Sequence, residues 1–406
     1  MSNESLIYDW NTAERRFAPG RIELFEETLR DGLQSPSVTD PPLAAKLALL
    51  DHMNALHIDV ANIGLPGAGP RAFEDTRAVA QHAVDTKLRI RLVAAARTMQ
   101  RDIAPIAEIQ QKTGCELEVY AFIGSSPIRF YTEDWTTESV RAHIRESIAF
   151  ATKEGLRTCL VTEDTTRAAP DVLRALFREG LDAGATALCL CDTVGHATPD
   201  GVRALFGFAQ TVVREHGKDN VRLDYHGHND RGLAVINALT ALEAGATRVH
   251  GSALGVGERV GNAAIDQIIV NLKLLGHYPH DISSLAAYCD AAAAALGVQI
   301  PINYPAMGRD AFRTSTGVHA AAIIKAMKKN DRDLADRVYS SVPATELGRA
   351  QEIEIGPMSG LSNVLFWLDA HAVAPDEALA QRILQQAKSS TRALRDEELW
   401  AVVRST

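Results

Sequence analysis

The chain has 406 residues, 46% of them apolar, enough to bury a large core as one big domain with an appendage or as two to three ordinary domains. A formal charge of −9 excludes a general nucleic-acid or anionic-membrane binder, since either needs a basic surface. Five scattered cysteines form no disulfide framework, no apolar run approaches the roughly 18 residues that span a bilayer, and the opening Met1-Ser2-Asn3-Glu4-Ser5 lacks the order of a secretion signal, so a soluble cytoplasmic protein is expected.

After an arm over residues 1–20, short β-branched runs alternate with longer helical patterns. The strand candidates are residues 22–27, 58–64, 89–94, 116–123, 158–163, 187–192, 221–226 and 248–252, with helices expected over 43–55, 138–152, 171–183 and 233–244 among others. Eight βα units within roughly 250 residues predict a closed (β/α)8 TIM barrel over 21–285 rather than an open doubly wound sheet. Residues 286–406 read as a mainly helical extension, entered by a helix over 281–296 and interrupted by Pro301 and Pro305. Helices follow over 318–329, 376–388 and 397–403, and residues 352–356 form either a short strand or a loop.

A barrel carries its chemistry just past its strands, and the polar clusters fall there: Arg30-Asp31, Glu163-Asp164, Asp192-Thr193, His226 with His228, and Glu258-Arg259. His226 and His228 stand two apart at the end of the seventh strand, so both rings point to one face and can grip one metal ion; a histidine pair of this kind also occurs as plain polar residues of a turn. Asp31 is a candidate third ligand, because a carboxylate with two imidazoles suits a divalent ion, although Arg30-Asp31 alone reads equally as a surface ion pair. Asn262 is a candidate fourth, in a glycine-rich loop that by itself is a plain βα turn or a phosphate cradle.

Together, Thr28-Leu29-Arg30-Asp31-Gly32 with Gln34, Glu163-Asp164, Asp192-Thr193-Val194-Gly195, His226-Gly227-His228-Asn229-Asp230 and Gly255-Val256-Gly257-Glu258-Arg259 with Gly261-Asn262 resemble the isopropylmalate, homocitrate and citramalate synthase family. The resemblance continues into Asp310-Ala311-Phe312-Arg313-Thr314-Ser315-Thr316-Gly317-Val318-His319, which is similar to the family's substrate-lid segment. It implies a Claisen condensation of acetyl-CoA with a 2-oxo acid at a divalent metal (Mg2+, Mn2+ or Zn2+) held by Asp31, His226, His228 and Asn262. It also implies that Arg30 faces the developing alkoxide and that His319, assisted by Glu163 and Tyr339, removes the methyl proton. A homodimer whose helical extension reaches the partner's barrel follows from the same likeness.

Gln34, Asn62, Tyr120 and Thr193 are expected to bind substrate. Two of these depart from the pattern: relatives commonly carry a glutamate near Asn62 and a histidine near Tyr120, which puts the 2-oxo acid's side chain in question. Arg97, Ser125, Ser126 and Arg129 follow the third and fourth strands and either bind a second anionic group, which is expected over an aliphatic one, or are ordinary loop and cap residues. The alternative activity is a metal-dependent lyase resembling hydroxymethylglutaryl-CoA lyase, but the corresponding loop holds Glu258 and Arg259 and no cysteine. The roughly 35 residues after His371 are too few for the regulatory domain of leucine-inhibited relatives, so feedback control of that kind is not expected.

Overall fold

The computed structural model of the protein describes residues 6–12, 17–218, 220–374 and 376–405; residues 1–5 and 13–16 of the expected arm lie outside them. The chain folds as a (β/α)8 TIM barrel with further helices at its C-terminus. Its strands, all parallel and closed in chain order, are β1 (Glu23–Glu26), β2 (Val60–Asn62), β3 (Arg91–Arg97), β4 (Leu117–Gly124), β5 (Arg157–Glu163), β6 (Ala187–Asp192), β7 (Arg222–Gly227) and β8 (Arg248–Gly251). Closure runs from Glu23 opposite Arg248 to Glu26 opposite Gly251.

The strands lie where the apolar runs place them, with two instructive differences. β2 is shorter than expected at both ends, and past its C-terminal end the backbone turns off at Gly64, whose φ is +146°. β3 runs on through Ala94, Ala95 and Ala96, which have weak strand preference but are buried against β4, Ala95 facing Tyr120. Between strands run α1 (Leu43–Ala55), α2 (Pro70–Asp85), α3 (Gln100–Thr113), α4 (Pro127–Thr132), α5 (Thr137–Lys153), α6 (Pro170–Ala183), α7 (Pro199–His216) and α8 (Ala234–Glu243), followed by α9 (Ile265–Leu274) and α10 (Leu285–Leu296). Proline at the first helical position opens α6 and α7, and the Thr136 hydroxyl caps α5 by accepting from Ser139 N.

By contacts the chain divides into two compact units: Arg15–His280 with Ala287–Gln299, and Asp281–Ala286 with Ile300–Thr406 and part of the N-terminal arm. The barrel unit thus includes most of α10, whose Tyr288 hydroxyl donates to the buried Glu26 carboxylate at 2.9 Å. In the second unit α11 (Gly317–Met327), α12 (Arg332–Arg337), α13 (Leu361–Ala370), α14 (Glu377–Ser389) and α15 (Asp396–Arg404) accompany a two-stranded parallel ladder, β9 (Arg313–Thr314) with β10 (Glu352–Ile353). Val364, Leu368, Ile383 and Leu399 form its main core.

Inside the barrel, Phe25, Val60, Val93, Cys159 and Cys189 form an apolar layer over a floor of charge. Arg248, 1% exposed, donates to Glu23 at 2.7 Å, to Glu118 at 3.0 Å and to the Tyr120 hydroxyl at 2.6 Å. Arg222 pairs with Asp224 and Glu118, both at 2.7 Å. These residues stand at the strands' N-terminal ends, opposite the face where barrel enzymes act, so they serve stability. Removing one member leaves buried charge unpaired. Arg248→Met is expected to cost about 3–5 kcal/mol in urea unfolding of the barrel; a cost below about 1 kcal/mol would show that the floor is solvated.

Candidate metal centre

Past β1 the chain turns sharply: the Arg30 and Gly32 amides both donate to the Glu27 carbonyl, at 3.1 and 3.0 Å. Beneath this turn Glu26, fully buried, accepts from the Thr28 amide, the Ala253 amide and Tyr288, and burial pushes its carboxyl up to about 7 against those bonds. The turn brings Arg30 and Asp31 over the mouth of the barrel. From β7 and its exit come His226 and His228, the latter anchored by its amide to the Asp192 carbonyl at 3.1 Å. Asn262 arrives on the loop after β8, which folds back so tightly that a Cβ on Gly261, at φ +90°, would stand 1.8 Å from the Gly255 carbonyl.

These residues meet. The Nε2 atoms of His226 and His228 lie 3.4 and 3.6 Å from Asp31 Oδ2. That is long for a hydrogen bond, but close to the roughly 3.0–3.5 Å between neighbouring ligand atoms that each stand about 2.1 Å from one ion. Asn262 Nδ2 donates to the same Asp31 oxygen at 2.8 Å. Asp31 Oδ1, Asn262 Oδ1 and His228 Nδ1 are buried without a hydrogen-bond partner. Buried polar atoms without partners are costly, and one ligand atom each from Asp31, His226 and His228 lies within 4.8 Å of the other two, a cluster of oxygen and imidazole donors that a divalent cation satisfies, so the residues present fit a metal.

The charges agree. Burial works against Asp31, but Arg30 and His226 hold its carboxyl below the usual range. Glu27 is held well below it despite burial, by Arg30, His226 and His250. His226 is raised to about 9, since Glu27 outweighs burial, whereas burial and the neighbouring His226 push His228 down to about 4. One imidazole therefore stays neutral while the other carries the proton that a cation displaces.

Around this group lies a pocket of about 150 Å³, lined by expected residues Arg30, Asp31, Gln34, Asn62, Tyr120, Glu163, Thr193, His226 and His228. Burial pushes the Glu163 carboxyl up, against the pull of Arg129 and Arg30. Tyr120 borders the pocket with its ring, but its hydroxyl is bound in the charged floor to Asp224 and Arg248. The Thr193 hydroxyl accepts from the Asp164 amide, and Asn62 Nδ2 has no partner.

Arg97, Ser125 and Arg129 are not among the pocket's described lining residues. Arg97 forms a two-point ion pair with Asp102, Ser125 donates to the Glu163 carbonyl, and Arg129 pairs with Glu133 over the Trp135 ring. Ser126 bonds Asp164. His319 and Tyr339 belong to the C-terminal unit, where their rings stack at 4.0 Å and both are exposed. Sequence reasoning missed Glu27 and His250 as lining residues, whereas Glu258, in a cluster expected past the eighth strand, does line the pocket. The signal for Glu27 was its place three residues before Arg30, an ion-pair spacing; His250, inside the four-residue strand β8, gave none.

Comparison with known proteins assigns the family. The HMGL-like family model matches residues 21–293. The chain belongs to the HMGL-like family. A probable 2-isopropylmalate synthase of Methanopyrus kandleri is 29% identical over 91% of this chain and 70% of its own length. A homocitrate synthase of Saccharolobus solfataricus is 30% identical over 93% of this chain and 79% of its own. Among solved structures, the HMG-CoA lyase of Bacillus subtilis superposes with a TM-score of 0.58 at 21% identity, over 70% of this chain and 96% of that one, a likeness that shows the fold. Among the described residues no helix is long and apolar enough to cross a membrane.

Titration of the metal-free protein with Mn2+ tests the centre. Asp31→Ala is expected to weaken binding at least about 100-fold, while Arg97→Ala leaves it unchanged; equal affinities for all three proteins would remove Asp31 from the site.

Proposed function

We propose that this chain condenses acetyl-CoA with a 2-oxo acid to give a 2-substituted malate and free CoA. The observation that carries the proposal is the convergence of Asp31, His226 and His228 with Arg30 beside them, its guanidinium 3.7 Å from Asp31 Oδ2. A divalent cation held by those three ligands, with Asn262 adjacent, would supply Lewis acidity toward the carboxylate and keto oxygens of the 2-oxo acid. The rest is chain chemistry. A methyl C–H bond of the acetyl group breaks, its electron pair forms the C–C bond to the keto carbon, and the keto oxygen takes up the charge and then a proton. Water then cleaves the thioester, releasing CoA. Arg30, fixed by Glu27, faces the oxygen on which charge develops, where a preorganised cation favours the transition state over the ground state. Glu163, whose carboxyl is raised, holds a proton to higher pH than an ordinary glutamate and is placed in the pocket to pass it on.

The methyl proton goes to His319, assisted by Tyr339 stacked on it, in a homodimer where this segment serves the barrel of a second copy. Relatives named isopropylmalate synthase and homocitrate synthase support the condensation itself. For the oxo acid we propose an apolar side chain in place of the anionic one expected from the sequence. Arg30 is the only guanidinium or ammonium among the described lining residues, and Leu65, Ala95, Phe122 and Val161 supply an apolar wall. All five cysteines are free, which suits a reducing cytoplasm.

A thiol-release assay with acetyl-CoA, Mn2+ and a panel of 2-oxo acids is expected to liberate CoA with an oxo acid of apolar side chain. Arg30→Ala should lower kcat about 100- to 1,000-fold. Silence with every oxo acid, together with cleavage of a 3-hydroxyacyl-CoA, would establish a lyase instead.

A further inference from the structure

We infer that Glu27 is the positioning residue of this centre: one carboxylate oxygen sets which nitrogen of His226 faces the cation, and the other holds Arg30 in place. The inference rests on the reading of Asp31, His226 and His228 as a cation site. Glu27 follows β1 directly, is 1% exposed, and touches both functional groups at once. Its Oε2 lies 2.7 Å from His226 Nδ1, an oblique approach, and its Oε1 accepts from Arg30 Nη2 at 2.5 Å. On the far side of the same ring, Nε2 points at Asp31.

A neutral imidazole carries one proton, and the two carboxylates compete to place it. Glu27 stands nearer than Asp31, at 2.7 against 3.4 Å, so the proton sits on Nδ1 and the Nε2 lone pair is left for the cation. Without Glu27 the ring is free to take the other tautomer, with N–H aimed into the metal position, and Arg30 loses the partner that fixes its reach. Glu27 also lets Arg30 lie beside a dication: it neutralises the guanidinium, leaving Asp31 and the incoming substrate carboxylate to balance the metal.

The rival reading is a second cation held by Glu27, His226 and His250, whose ligand atoms also cluster. Arg30 argues against it, since a guanidinium already occupies Glu27, and His226 cannot lend both lone pairs while it keeps a ring proton.

Mn2+ titration of the full chain, with 15N NMR of histidine-labelled, Zn2+-loaded protein, tests the inference. The wild type should bind one Mn2+ per chain and show His226 protonated at Nδ1. Glu27→Gln should weaken Mn2+ binding about 10- to 100-fold, less than Glu27→Ala, which has no group left to orient the ring. An Nε2-protonated His226 in the wild type, or unchanged affinity in both variants, would overturn the role of Glu27 while leaving the cation site standing. Two Mn2+ per chain would replace it with the second-cation reading. No binding by the wild type would overturn the site itself and this inference with it. The tautomer is read on the wild type, so the test does not depend on either variant folding.

Discussion

Strand β1 is paired with β8 from Glu23 to Glu26, and this seam sets the turn after β1 against the exits of β7 and β8. The pairing is non-local, joining the start of the barrel sequence to its end, and only when it forms do Asp31, His226, His228 and Asn262 share one space. Glu26 locks the seam by accepting from the Ala253 amide beyond β8 and from Tyr288 on α10. The site is therefore a product of barrel closure. A loosened seam would scatter its ligands before it exposed much of the core.

Polar layers stand at both ends of the barrel interior, with apolar side chains between. The floor is closed upon itself, since Arg222 and Arg248 are matched by Glu23, Glu118 and Asp224. The mouth is not: Asp31 Oδ1 and Asn262 Oδ1 are buried there without a hydrogen-bond partner. That asymmetry separates structural charge from functional charge, because natural cores satisfy their buried groups and leave them open where a ligand completes them. His250 lies between the layers, stacked on Phe25 at 3.9 Å, with nitrogens 3.7 Å from Glu27 and 3.9 Å from Asp224, too far for hydrogen bonds to either.

Much of this was legible in the residue order. Eight apolar runs with helical spacers between them can bury their strands in few ways, and each observed strand overlaps its expected run. The histidines two apart and the Arg30-Asp31 pair carry local signals, because spacing and position past a strand are visible without the fold. What escaped depends on direction or on distant partners. Arg97 ends β3, where an anion-binding arginine could stand, but Asp102 on the next helix captures it. Tyr120 lies on the expected strand, yet its hydroxyl turns to the floor because Asp224 and Arg248 wait there. Glu27 reads as one carboxylate of a Glu-Glu pair, and only the closed barrel shows that Glu26 faces Tyr288 while Glu27 faces His226.

The account turns on one ion shared by side chains from the two ends of the barrel sequence. X-ray absorption spectroscopy of the full-length protein loaded with one equivalent of Zn2+ reads that shell directly. Two imidazole nitrogens and at least one carboxylate oxygen at about 2.0–2.2 Å are the predicted ligands. A shell of sulfur, or of oxygen without imidazole, would contradict it.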